Sequence, residues 1–153
     1  VIAFTIRCVP PSVTAQQKRV AIINGRPRFF HGAKMKAQEQ TWASLLQPHV
    51  PQAPVLGPIE LKATLVYPHL KDTPKRDLHL VIPKESKPDA DNAAKHLTDL
   101  LVTMRFIGDD AKIARLIVEK FHGPEACVGI RIAIQSMSPM LSFAPPDGGG
   151  GVV

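Results

Sequence analysis

Apolar and polar residues alternate at both ends of the chain and shift to a helical spacing in two places between. Ile2, Phe4, Ile6 and Cys8 interleave with Ala3, Thr5 and Arg7, the two-residue period of a half-buried strand, and Pro10-Pro11 ends it. Arg19–Ile23 and Arg28–Phe30 are short β-like runs around Asn24-Gly25, a pair that tolerates the positive φ angles of a tight hairpin turn. From Ala33 to Gln47 the spacing predicts a helix, with Met35, Trp42, Leu45 and Leu46 on one face and Pro48 and Pro51 as stops. Ile59, Leu61, Ala63, Leu65 and Tyr67 alternate as a further strand. A second helix is expected from Asn92 to Met104, its apolar face made of Ala93, Leu97, Leu100, Leu101 and Met104. Ile113–Phe121 and Cys127–Ile134 read as closing strands joined by a turn that contains Gly123-Pro124.

Two stretches lack such a period. Residues 68–88 hold five lysines or arginines and several prolines, and read as a long mobile loop with a short extended piece near Leu78–Ile82. Gln135–Val153 ends in a GGGG run and two valines and has little to pack, so it reads as a flexible tail. The expectation is one domain over residues 1–134, of α+β class with two main helices, followed by the tail at 135–153. No apolar run approaches the roughly 18 residues that would span a bilayer. Val1–Pro11 has neither a basic start nor a small-residue cleavage site, and reads as a strand rather than a leader. Cys8 and Cys127 each lie in an apolar run with no Cys/His cluster nearby, which suits reduced thiols and a cytoplasmic location.

Charge changes the picture through its distribution. The net charge is +6, and residues 1–38 carry Arg7, Lys18, Arg19, Arg26, Arg28, Lys34 and Lys36 with no acid at all. A basic surface of this kind suits a polyanion such as nucleic acid. Residues 89–110 are the opposite: Asp89, Asp91, Asp99, Asp109 and Asp110 stand against Lys95 and Arg105. An acidic patch inside a basic protein calls for its own explanation.

The informative segment is Lys87-Pro88-Asp89-Ala90-Asp91-Asn92-Ala93-Ala94-Lys95. Pro88 disfavours helix at Lys87, and Asp91 is a plausible N-cap. At 100° per residue, Asp91, Lys95 and Asp99 fall within about 80° of arc, roughly opposite the apolar face. Asp89, in extended chain before the helix, is able to fold its carboxylate beside Asp91. After the Gly108 break, a strand antiparallel to the helix would return Asp109 or Asp110 towards Asp89. Mg²⁺ takes oxygen ligands and is commonly shared between carboxylates and a substrate phosphate. In phosphodiester hydrolysis it activates water and offsets charge on the phosphoryl group, with Lys95 placed to hold the phosphate or the developing charge. The plainer alternative is that Asp91 caps the helix and that Asp91, Lys95 and Asp99 are ordinary i,i+4 pairs. Calcium coordination of the EF-hand kind fails, because Ala93, Ala94 and Leu100 stand where ligands and a glycine are needed. The six scattered histidines form no HxH or HExxH, which disfavours zinc.

The run Lys87-Pro-Asp-x-Asp-Asn-x-x-Lys95, then a helix, then Gly108-Asp109-Asp110 entering a strand, resembles the RusA family of Holliday-junction resolvases. The resemblance extends over about residues 1–134 and includes the first strand ending at Pro10-Pro11-Ser12, the basic hairpin and the helix after it. It implies a mixed β-sheet, a homodimer, and a Mg²⁺ site (Mn²⁺ as a substitute) held by Asp89, Asp91 and Asp110, with Asp109 as the fallback. It makes Lys95 the catalytic lysine. The expected activity is paired nicking of four-way junctions in recombination and repair, by a bacterial or phage-encoded protein. Lys18, Arg19, Arg26, Arg28, Lys75 and Arg76 are the expected DNA contacts. The apolar edges of Ile2–Cys8 or Ile59–Tyr67 are candidates for the dimer contact, and no membrane partner is expected. A second reading is a branched-DNA-binding protein of the same fold that does not cut.

Overall fold

The computed structural model of the protein describes residues 1–12 and 18–139. Seven strands and two helices follow one another as β1 (Ile2–Ile6), β2 (Lys18–Ile23), β3 (Arg26–His31), α1 (Ala33–Leu46), β4 (Ile59–Pro68), β5 (Ile82–Pro83), α2 (Ala90–Thr103), β6 (Ile113–Gly123) and β7 (Gly129–Ser136). Five strands form one sheet in the order β1-β7-β4-β6-β5, and β2 with β3 forms a separate hairpin. Within the main sheet β4 and β6 run parallel and the other neighbours antiparallel, so the sheet is mixed and the domain is α+β. Parallel neighbours need a long crossover, and the segment from Pro68 through α2 to Ile113 supplies it.

The alternation read from β4 is realised: Ile59, Leu61, Ala63, Leu65 and Tyr67 are buried, while Glu60, Lys62 and Thr64 lie between them at intermediate exposure. Ile130, Ile132 and Ile134 of β7 join the same core, together with Ile6, with Trp42 and Leu46 of α1, and with Leu97 and Leu101 of α2. The other side of β4 carries Glu60, Lys62 and Thr64, with Val66 buried near its end. There Glu60 accepts from Arg115 at 2.7 Å and from Gln135 at 2.9 Å, and Glu119 pairs with Lys62 at 3.2 Å and Thr64 at 2.9 Å. Both helices therefore contribute to a single core, and the side chains that α2 turns away from it meet solvent.

Several expected boundaries shift. β1 ends at Ile6, where Gly129 approaches so closely that a Cβ there would stand 2.6 Å from the Ile6 carbonyl oxygen. Gly129 also has φ +153°, backbone that favours glycine. Cys127 belongs to a 3₁₀ turn at Glu125–Cys127 rather than to a strand, because the amides of Cys127 and Val128 bond back to Pro124 and Glu125. β7 accordingly starts later and runs to Ser136, beyond the expected end at Ile134, and the Met137 amide donates to the Pro58 carbonyl. Most of the expected tail, residues 140–153, lies outside the described residues. β6 and β7 are not a hairpin, since β4 lies between them. That same insertion makes β4 a central strand, so Ile59–Tyr67 offers no free edge, whereas β1 is an edge. In the 68–88 stretch the extended piece is Ile82–Pro83, four residues beyond Leu78, and a 3₁₀ turn occupies Lys75–Asp77. The hairpin is as expected: Asn24 and Gly25 have φ of 52° and 72°, both positive as a two-residue turn of this hand requires.

Candidate functional site

The site is built around the start of α2. Its N-cap is Asp89, not Asp91, and the helix begins at Ala90, two residues earlier than the periodicity suggested. Asp89 is extended, with φ −66° and ψ 147°, and its carbonyl accepts the first helical bond from the Ala93 amide at 3.0 Å. Its carboxylate makes no capping bond. Asp91 falls in the first turn, where a negative charge meets the positive end of the helix dipole.

Asp89, Asp91, Lys95 and Asp99 are all exposed, whereas Asn92, Ala94, His96, Leu97, Thr98 and Leu101 are buried. The arc derived from helical spacing is thus realised. The plainer alternative is not, for among the described residues Asp91, Lys95 and Asp99 form no ion pair with one another. On the buried side the His96 ring meets the Trp42 ring edge-on at 6.3 Å, which fixes α2 against α1.

Asp109 and Asp110 differ from each other. Asp109 caps a 3₁₀ turn at Asp110–Lys112 by accepting the Ala111 amide at 2.9 Å. That bond, then a hydrogen bond with the neighbouring Asp110 carboxyl, and the Lys112 charge hold Asp109 below the usual carboxylate range. Asp110 is exposed and has no capping task.

The return of Asp110 to Asp89 does not take place within one chain. α2 and β6 are antiparallel, as expected, and Lys120 near the far end of β6 reaches the Pro88 carbonyl at 2.7 Å. Asp110 precedes the other end of β6. A helix of 14 residues spans about 20 Å, and the strand from Ile113 to Lys120 about as much. Antiparallel packing therefore holds Asp89 and Asp110 at opposite ends of α2 instead of closing them on each other. Consistently, no three His, Cys, Asp or Glu side chains among the described residues are grouped so as to hold a metal ion.

The expected DNA contacts divide into two groups. Arg26 and Arg28 are exposed on one strand of the hairpin, two residues apart and so on the same side of it. Lys18 and Arg19 belong to its other strand, opposite His31 and Phe30, and their side chains lie outside the described part. Lys75 and Arg76 are exposed in the 3₁₀ turn of the long crossover, with Arg76 at 3.8 Å from Asp77. Cys8 and Cys127 are free, and burial pushes the Cys8 thiol pKa up. No helix among the described residues is long and apolar enough to cross a membrane.

The pairing of Lys84 with Lys120 was not foreseen. Lys84 and Lys120 meet around Ser86, directly before Asp89: Lys84 donates to the Ser86 hydroxyl at 2.6 Å and Lys120 to the Ser86 carbonyl at 3.0 Å. The Lys84 ammonium also lies 5.0 Å from the centre of the Tyr67 ring, whose buried hydroxyl is pushed up to about 12. The two lysines are 36 positions apart in the sequence, and no local pattern links them.

Against known proteins, residues 9–135 match the family described as Endodeoxyribonuclease RusA. The chain belongs to the RusA family. The match begins just after β1 and ends within β7, so it takes in the hairpin, both helices and both acidic segments. The chain is also similar to the uncharacterized protein YqaN of Bacillus subtilis (strain 168), with 29% identity over 138 residues, covering 86% of this chain and 94% of that protein.

Proposed function

We propose that this RusA-family chain is a Mg²⁺-dependent, structure-selective endodeoxyribonuclease that resolves four-way junctions by paired nicks, as a homodimer serving recombination and repair in a bacterial cytoplasm. One observation carries the reading. Asp89 directly before α2, and Asp91 and Lys95 in its first two turns, are all exposed, and among the described residues none of their charged groups is engaged in a cap or an ion pair. Asp91 alone gains from the helix dipole, but no contact among the described residues uses the three charged groups together, and DNA binding alone is opposed by carboxylates. A phosphate-cutting centre needs all three.

The donor set suits a hard cation. Asp89 and Asp91 supply two carboxylates, and Mg²⁺ is commonly held by one or two together with water and substrate phosphate; Mn²⁺ accepts the same oxygens. When bound, Mg²⁺ supplies an activated water and offsets charge on the transferring phosphoryl group. Lys95, one turn beyond Asp91, holds a phosphate oxygen on the same exposed side. Asp109 is committed to the Ala111 amide, which leaves Asp110 as the acid available for a third ligand. Because Asp110 stands at the far end of α2 in its own chain, it completes a centre only on a second copy. Homodimerisation is thereby tied to catalysis, and a two-fold pair yields two centres for two nicks. Arg26, Arg28, Lys75 and Arg76, with Lys18 and Arg19, contact phosphates of the junction arms.

The test is to incubate the full chain with labelled four-way junction or linear duplex, in Mg²⁺ or EDTA, beside Asp91→Asn. Junction-selective nicking that needs Mg²⁺ is expected, falling at least 100-fold in Asp91→Asn while junction binding persists. Binding without cutting by the unaltered chain would favour a non-cleaving junction binder, and nicking of linear duplex at the same rate would remove the structure selectivity.

A further inference from the structure

Lys120 is three positions from the end of β6, on the strand rather than on the segment that carries the acids. Its ammonium nonetheless donates to two carbonyls of that segment, Ser86 at 3.0 Å and Pro88 at 2.7 Å. Its own carbonyl accepts the Lys84 amide at 3.0 Å. One residue thus ties the run from Lys84 to Pro88 at three points, and Asp89 is the next residue along.

Little else fixes that run. β5 pairs with β6 over only two residues, Ile82 and Pro83. Glu85, Ser86 and Lys87 are exposed, and α2 begins only at Ala90. The second brace is Lys84, whose ammonium reaches the Ser86 hydroxyl at 2.6 Å. Two positive groups are thus kept near each other, and after burial the charge of Lys120 is what lowers the Lys84 pKa. Like charges so placed repel, and here both are held by oxygens of the same serine. Where Asp89 stands relative to Asp91 depends on where the run before it is pinned.

We propose that Lys120 is a positioning residue for the acidic centre: by gripping the Ser86 and Pro88 carbonyls it sets the place of the Asp89 carboxylate beside Asp91. The inference rests on the reading of Asp89 and Asp91 as metal ligands. Groups that orient ligands without touching the metal typically alter metal affinity or activity by about 10–100-fold when removed. Lys120→Met keeps the length of the side chain and removes the donor, leaving the buried Pro88 residue with an unpaired carbonyl. Lys120→Arg keeps a donor fork able to serve two carbonyls.

The decisive measurement is Mn²⁺ uptake by the full-length protein, read by electron paramagnetic resonance, beside the Mg²⁺ midpoint for junction nicking and junction affinity in EDTA. Lys120→Met is expected to weaken Mn²⁺ binding about 10–100-fold and to raise the Mg²⁺ midpoint in step, with junction affinity in EDTA within about threefold of the unaltered chain. Lys120→Arg is expected to recover most of the loss, and it carries the comparison if Lys120→Met does not fold. Unchanged Mn²⁺ affinity in a folded Lys120→Met overturns the inference. So does a fall in junction affinity with the Mg²⁺ midpoint unmoved, which would make Lys120 a phosphate contact. An unaltered chain that takes up no Mn²⁺ would remove the metal reading itself, and the inference with it.

Discussion

Arg105 shows how one residue ends α2. Its φ is 64°, in the left-handed region where a side chain costs about 1–2 kcal/mol and where glycine normally stands after a helix. The bonds around it are those of a Schellman turn: the Arg105 amide donates to the Val102 carbonyl at 3.0 Å and the Phe106 amide to the Leu101 carbonyl at 2.9 Å. Gly108, which the sequence suggests as the break, comes three residues later, and a Cβ there would meet open space. The strain at Arg105 is offset by Phe106 and Ile107, which the turn sends into the core, at 0% and 1% exposure. Arg105→Gly should therefore stabilise the fold by up to about 1 kcal/mol, reduced somewhat by the freer unfolded chain. Urea unfolding should give a higher midpoint with an unchanged slope, and a lower midpoint would mean that the Arg105 side chain contributes more than its backbone costs.

At the scale of elements, α2 separates two tasks on two faces. Leu97 and Leu101 are buried against the sheet, while Asp91, Lys95 and Asp99 look outward. Leu101→Ala should cost about 2–5 kcal/mol, because a fully buried side chain is removed from a close-packed core. Asp99→Ala, on the same helix, should change stability by no more than about 0.5 kcal/mol. Equal losses from the two, measured by chemical denaturation, would mean that the faces are wrongly divided. The faces were legible because burial follows the 3.6-residue period. The first residue of the helix was not, since Asp89 and Asp91 are both good capping residues and local preference does not choose between them. What chose was Pro88: it is buried and held by Lys120, which places the turn into the helix at Asp89.

At the scale of the whole molecule, the separation of Asp89 from Asp110 has a consequence that mixing can expose. If each centre takes Asp89 and Asp91 from one copy and Asp110 from the other, Asp91→Asn and Asp110→Asn are each inactive alone. Unfolded together and refolded, they form mixed dimers in which one centre keeps all three aspartates. Such mixtures should regain single-strand nicking without full resolution, and light scattering should give about twice the 16.7 kDa chain mass. A mixture as inactive as either variant, or a strict monomer on junction DNA, would contradict a shared centre. Of the two strands offered by sequence as dimer contacts, β1 remains an edge and β4 does not.

By itself the sequence determined the elements that depend on near neighbours. The alternation of β4, the Asn24-Gly25 turn, the two faces of α2 and the exposed placement of Asp89, Asp91 and Lys95 all follow from periodicity and backbone preference within a few residues. The acidic motif and its basic surroundings were legible too, because they are contiguous or nearly so. Only the tertiary structure decided what depends on which strand lies beside which. It placed β4 between β6 and β7, two strands that follow each other in the sequence, through a parallel β4–β6 pair joined by α2, and the apolar faces of β4, β7 and α2 share one core. It set Asp110 a helix length from Asp89, because an antiparallel helix and strand carry their linker to the far end. It also brought Lys120 to Ser86 and Pro88, a contact between residues more than 30 positions apart that no local period encodes.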